Sequence, residues 1–469
     1  MSNKSREKKR KEKAKRKKQR NKDKINHSIA PMPPEFKKQI LPYAVIKLLT
    51  NAEIQERYKL RDDLVCIRWN NEDEILHSED FKMVKEVAQR IHKEQVVQKN
   101  LHNTLSTVPT ALDLHYEAAR HIRKMVDGES KGKKKLIFIK DQSGCGYWRM
   151  VVPARYMTTE EYYIDMAEIE VIYDYLLEYD VIVVQRLCRW SEYYTIIRLK
   201  RQNKRIVYDI DDNIFDVPLD NPAAYVIKKD QYEAARAIMS VCDVVTTTTE
   251  ILKEQLKCPD KTIVVPNAID FDDGYPAKYL GQPDNYKRIL WMGSATHNQD
   301  WLQCADAVDR VMRERGDVRL VIIGSMPKTL EQYVGDPRRP WYKKRIEFEK
   351  FKHVETYVLT TKQLRANCGL APLQESVFNS SKSNIKWLEY TGAGVPTIAS
   401  NVSPYKEDIV HGTNGFLANT ENEWYQAITN LLDAPDICTS VVSAAKKSIE
   451  QKFDIKQVIH KWEETILGE

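Results

Sequence analysis

No apolar run in this chain approaches the roughly 18 residues that a bilayer-spanning helix needs. Its charged N-terminus is not followed by the hydrophobic core of a signal peptide. These absences argue against a transmembrane or secreted protein and lead us to expect a cytoplasmic one, soluble or peripheral. Cysteine is present but unpatterned. The eight residues at positions 66, 145, 188, 242, 258, 304, 368 and 438 form no C-x-x-C pair and have no histidines at zinc-finger spacing. That pattern argues against a structural metal and for reduced thiols. No repeat of 20 to 50 residues is visible, which speaks against solenoids and propellers. The G-x-G-x-x-G spacing of a dinucleotide fingerprint is also missing after the first strand-like run, which lowers a dehydrogenase reading.

What the chain does have is length and segregated charge. Its 469 residues exceed one ordinary core, and about 100 to 200 residues per domain implies two or three units. The net charge of +7 is concentrated at one end. Residues 1–24 carry 14 Lys and Arg against 3 acids, leaving 60 basic and 64 acidic residues in the remainder. Such a block cannot bury apolar surface, so residues 1–30 are expected to form a disordered basic tail. Lys and Arg displace counterions from phosphates, so residues 1–24 could hold nucleic acid or an anionic membrane surface. A solubilising extension or a localisation signal fits the same composition.

Residues 31–130 show helical periodicity in pieces, as in "DFKMVKEVAQRIHKEQVVQKNL", and read as a helical accessory region. From 134 onward short apolar runs alternate with amphipathic stretches. A first series has strands expected over residues 135–140, 180–186, 204–210, 243–249 and 261–267. After the turn-rich link "DFDDGYPAKYLGQPDNY", a second series has strands over 288–293, 318–324, 355–360, 368–373, 395–400 and 415–419. Alternation of this kind implies parallel sheets with right-handed crossovers. The expected fold class is therefore α/β, with two tandem Rossmann-like doubly wound domains over 131–280 and 281–450. Ligands in such sheets bind beyond the carboxyl ends of the strands, so two facing units create a cleft.

One segment carries the most chemistry. In "FNSSKSNIKWLEYTGAG" (378–394), Asn379, Ser380 or Ser381 is expected to cap a helix on which Lys382, Lys386 and Glu389 share a stripe. A lysine in the first turn opposes the helix dipole by about 0.3 to 1 kcal/mol, and a bound anion would reverse that sign. Backbone N–H groups at the helix start, Lys382 and Lys386 suit a diphosphate. Ser383 lies between them and joins this candidate binding set. Glu389, an acceptor only, suits the two donors of a ribose cis-diol. A plain Lys386–Glu389 surface pair with Lys382 in water accounts for the same spacing.

Other strand ends add candidates. After the first strand, "KDQSGCGYWRM" offers Gly144 and Gly146 for close backbone approach and Arg149 for a phosphate or an acceptor, although glycines more often mark turns. "MGSATHNQDW" places Gly293, Ser294 and His297 just past a strand, with His297 either a polar contact, a proton carrier or a structural histidine. "VYDIDDNIF" holds Asp209, Asp211 and Asp212. Asp209 and Asp211 spell the D-x-D with which single-domain GT-A enzymes hold a divalent metal. In a two-domain arrangement Asp211 or Asp212 faces an acceptor hydroxyl as base, or caps the next helix.

These stretches resemble GT-B glycosyltransferases of the large retaining group related to glycogen and sucrose synthases. The likeness covers roughly residues 134–469. It rests on "GLAPLQESVFNSSKSNIKWLEYTGAGVPTIAS", "VVPNAID" (264–270) and "ILWMGSATHNQD" (289–300). An FN..KS..K..EY subset is the nearer match. The resemblance implies an acceptor domain at 131–280, a nucleotide-sugar donor domain at 281–450, and a final helix at 451–469 crossing back to the first. It gives Glu389 the ribose. Where the family usually has a second glutamate this chain has Ser381, and Glu375 is a poor substitute.

The expected function is transfer of a sugar from a nucleotide-diphosphate sugar, by a hexosyltransferase-type enzyme without an obligatory metal or other cofactor. The acceptor, whether glycan, protein or DNA, is unassigned. The alternative is a nucleic-acid-associated protein on the same scaffold, either a non-catalytic binder or an enzyme acting on modified DNA bases. A GT-B type epimerase is a third choice.

Overall fold

In the computed structural model the described residues are 130–468, except 142–143, 158–160, 169–175, 226–227, 272–276, 282–283, 350–360 and 362. The basic tail, nearly all of the helical accessory region and the strand expected at 355–360 therefore lie outside the described residues.

The first half is built from β1 (Lys134–Lys140), α1 (Val152–Met157), β2 (Tyr162–Glu168), β3 (Val181–Gln185), α2 (Trp190–Arg201), β4 (Arg205–Asp209), α3 (Lys229–Val241), β5 (Val244–Thr247), α4 (Glu250–Gln255) and β6 (Thr262–Val264). A helical turn at Gly144–Gly146 and a π turn at Tyr147–Val151 lead into α1. The strands form one sheet in the order β2-β1-β3-β4-β5-β6, with every pairing parallel. Every residue of β3 is buried, as expected of a strand covered on both faces.

The second half contains β7 (Lys287–Gly293), α5 (Ala305–Glu314), β8 (Val318–Gly324), α6 (Lys328–Gly335), β9 (Ile346–Glu349), β10 (Cys368–Ala371), α7 (Val377–Ser380), α8 (Ile385–Gly392), β11 (Thr397–Ser400), β12 (Phe416–Ala418) and α9 (Glu421–Asp433). Its sheet order is β12-β11-β10-β7-β8-β9, again all parallel. Renumbered within the half, that is the Rossmann order 3-2-1-4-5-6, whose direction reverses between β7 and β10. The expected tandem α/β architecture is thus present.

The chain closes with α10 (Pro435–Lys452) and α11 (Ile455–Leu467). Asp454 caps α11 by accepting from the Lys456 amide at 2.8 Å, and a bridge joins Ile269 to Asp454. The last helix packs on the first half. Arg205 donates to the carbonyls of Ile466 at 2.7 Å and Thr465 at 3.1 Å. Among the described residues no helix is long and apolar enough to cross a membrane, and no disulfide joins any two of the seven cysteines.

Three local expectations need correction. Strand β2 was not anticipated, because Asp165 interrupts its apolar pattern; the buried carboxylate is satisfied by the Tyr179 hydroxyl. Strand β9 was likewise missed, its alternating "IEFE" being an edge strand with both charges half exposed. The helix expected to start beside Lys382 begins later. Ser376 caps the short α7, accepting from the Asn379 amide at 3.1 Å, and α8 starts only at Ile385. Ser381 instead donates to the Phe378 carbonyl at 2.7 Å, leaving Lys382 in the intervening turn.

Candidate active site

The carboxyl edges of the two sheets face each other, as the contacts between them require. Lys382 Nζ lies 3.6 Å from Asp212 Oδ1, and the Trp148 indole donates to Glu389 Oε1 at 3.2 Å. Asn267 donates to Ser383 Oγ at 2.8 Å, and the Thr249 hydroxyl to the Ser381 carbonyl at 2.8 Å. Lys382, Lys386 and Glu389 are therefore brought together on the wall that meets the first half. Lys386 Nζ donates to Glu389 Oε2 at 2.8 Å. The expected pair exists, but Glu389 is only 5% exposed and so is not part of a solvated surface.

At the switch point of the second sheet, β7 leads to His297 and β10 leads to Gln374. Asp300, buried at 4% exposure, ties the two exits together. Its Oδ1 accepts from the Gln374 amide and the Asn379 side-chain amide, both at 2.8 Å, and His297 Nδ1 lies 2.8 Å from Oδ2. Burial pushes the imidazole below its usual value against the pull of Asp300, and Lys382 and Lys386 add to the lowering. Ser294 meets Thr296 at 2.6 Å at the same strand end.

The first sheet presents acids. Asp141 follows β1, Asp211 and Asp212 follow β4, and Arg186 follows β3 at a positive φ of 50°. Arg186 pairs with Asp141, stands 3.6 Å from Asp211 Oδ1 and 3.9 Å from Asp212 Oδ2. Burial opposes the guanidinium charge, yet Asp211, Asp212 and Asp209 raise its pKa above the ordinary value. Burial equally opposes charge on Asp212, but Lys382, Arg186 and His297 hold its carboxyl below the usual range. Cys145, Asp211 and Asp212 bring one ligand-type atom each within 4.8 Å of one another. Arg186 and Lys382 stand beside those two carboxylates, Arg186 being shared with Asp141, while Asp211 Oδ1 is buried without a hydrogen-bond partner.

Arg149 is a correction. Its side chain is fully buried, bonded to Asp209 at 2.7 Å through Nη2, to the Val265 carbonyl at 2.7 Å and to Asn267 at 3.3 Å, with its guanidinium 4.8 Å from the centre of the Trp462 ring. It joins β4, the interdomain link and α11, and offers nothing to a phosphate. The same contact removes the D-x-D metal reading. Asp209 is also bonded to Thr246 Oγ1 at 2.7 Å, and burial raises its pKa despite Arg149.

Gly146 and Gly293 are also required by packing. A Cβ on Gly146 would lie 2.8 Å from the Asp141 carbonyl, and one on Gly293 2.6 Å from the Trp291 ring. Gly324, at φ 105°, lies so close to the Gly293 carbonyl that a side chain there would collide with it. Gly144 opens the helical turn that leads to Trp148.

Sequence reasoning missed Arg186, Trp148, Asp300 and Asn379 as site-building side chains. Asn379 was read only as a cap, and the Asp300 partner of His297 sits three residues on, a spacing that alone signals nothing. Strand-end position was the available signal for Arg186.

Residues 286–434 match the family model described as glycosyl transferases group 1. No curated protein matches the chain in sequence. Among solved structures, HepE of Anabaena in complex with UDP and glucose superposes with a TM-score of 0.54 at 13% identity, covering 72% of this chain and all of that one. HepE with UDP-glucose gives 0.53 at 14%, covering 71% and 100%. A glycosyltransferase from Rickettsia africae gives 0.52 at 15%, covering 71% and 97%. At these identities the likeness is one of fold, and that fold is GT-B.

Proposed function

We propose that the chain is a glycosyltransferase of hexosyltransferase type, moving a sugar from a nucleotide-diphosphate sugar to an acceptor without an obligatory metal. The observation that carries this reading is the grouping of Lys382, Lys386 and Glu389 on the wall facing Asp212 and Trp148. Two ammonium groups neutralise the charge that grows on the departing diphosphate, which is the work a metal would otherwise do. Glu389, held by Trp148 and Lys386, is an acceptor of the kind that ribose hydroxyls need. Ser294 and Ser383 add neutral hydroxyl partners. The match to group 1 glycosyl transferases and the UDP and glucose bound by HepE point the same way.

Asp211 and Asp212 face the acceptor side. Since cations hold Asp212 ionised and acidic, it is a poor base at neutral pH and serves to orient an acceptor hydroxyl. The nucleic-acid alternative rests on residues 1–24, outside the described residues, and no described side chain favours it.

The test is thermal unfolding of the full chain in EDTA against a panel of nucleotide sugars that starts with UDP-glucose. A ligand at a hundred times its Kd adds about 2.7 kcal/mol, giving a clear rise in Tm. A flat response across the panel refutes the reading. A response that returns only with manganese refutes its metal-free part.

A further inference from the structure

Asp300 is a buried acid whose carboxylate is fixed by two amide donors and faces the His297 ring. Its Oδ1 is held by two amide donors from the segment after β10, while Oδ2 meets His297 from the segment after β7. Amide N–H groups only donate, so the carboxylate is set as an acceptor. Nδ1 of His297 then carries the proton and Nε2 keeps its lone pair.

We propose that Asp300 is a positioning residue that makes His297 take up a proton when a donor diphosphate enters, so that Nε2–H donates to a phosphate oxygen. The inference rests on the donor site proposed above. Asp300 and Asp212 favour a charged imidazole, whereas burial, Lys382 and Lys386 oppose it. In the ligand-free protein the opposing side prevails. An arriving diphosphate draws the two ammonium groups to itself and adds negative charge, while Asp300 stays fixed behind the ring. The proton comes from a solvent hydronium or buffer acid and forms the Nε2–H bond, and no other covalent bond forms or breaks. His297 thereby becomes a third cation at the leaving group, present only when there is charge to stabilise.

Calorimetric titration of UDP-glucose, or of the panel member with the largest Tm shift, tests this in two buffers of different ionisation enthalpy between about pH 6 and 8. The diphosphate of a nucleotide sugar does not titrate there, so net uptake belongs to the protein. Uptake approaching one proton is expected in part of that window, with affinity falling as pH rises. His297→Gln should abolish the uptake, and Asp300→Asn should move it to lower pH. Uptake unchanged in either variant overturns the inference, as does donor binding with no uptake in the natural chain. Failure of every nucleotide sugar to bind overturns the donor-site reading itself, a distinct outcome. Should Asp300→Asn not fold, NMR titration of the His297 ring with and without UDP-glucose decides, an unmoved pKa counting against the proposal.

Discussion

The two sheet edges that meet in this protein are opposites. The switch point of the first sheet, between β1 and β3, is filled by the chain's own Asp141–Arg186 pair, with Asp211 and Asp212 beside it. The switch point of the second, between β7 and β10, is bridged by Asp300 and flanked by His297, Lys382 and Lys386. One edge is acid-rich around Arg186, and the other sets His297, Lys382 and Lys386 around two buried acids, Asp300 and Glu389. The lesson is that the same doubly wound architecture leaves its edge free to specialise, since the strands fix only where loops end. Opposite charges meet between the edges at Lys382 and Asp212, and an anion entering there must compete with Asp212 for Lys382.

The strongest way to break the comparison is to remove the strut beneath the acidic edge. Arg149→Met leaves Asp209 buried and unpaired, and should cost about 3 to 5 kcal/mol in denaturant unfolding. Whatever folds should still bind donor, because Arg149 reaches the proposed donor set only indirectly, through Asn267 and Ser383. Next in size, Lys382→Ala should weaken donor binding by about 10- to 100-fold, the loss of about 1.5 to 3 kcal/mol for a charge-assisted bond. Unfolding should be nearly unaffected, and an unaltered Kd by calorimetry would remove Lys382 from the donor site.

The smallest effect sharpens the comparison. Asp212→Asn frees Lys382 from its competitor and should tighten donor binding about two- to five-fold, while acceptor turnover falls. Because the folded pKa of Asp212 is depressed, its stabilising contribution is complete above about pH 4 and is lost as pH falls through the lower folded value. The stability difference between the natural chain and this variant should therefore be flat at neutral pH and close only in acid.

Much of this could be read before any coordinates. Runs such as "KLIFIK" and "VRLVIIG" announced parallel strands by their largely apolar character, and the spacing of Lys386 and Glu389 announced a shared helix face, with Lys382 in the turn before it. What could not be read were strands with a buried acid or an edge position, as in β2 and β9. Arg149 was misread for a related reason. A basic side chain near glycines after a first strand suggests a ligand, and nothing local says that Asp209, 60 positions on, will claim it.

By itself, then, the sequence determined the alternating elements, their assembly into two doubly wound units, and which segment carries the lysines and the glutamate. Those features follow from periodicity and spacing, which act over a few residues. Only the tertiary structure decided which charge meets which. Trp148 reaches Glu389 across 241 positions, and Lys382 finds Asp212 across the cleft. Electrostatic partnership depends on distance and burial in space, and neither is written in the local order of residues.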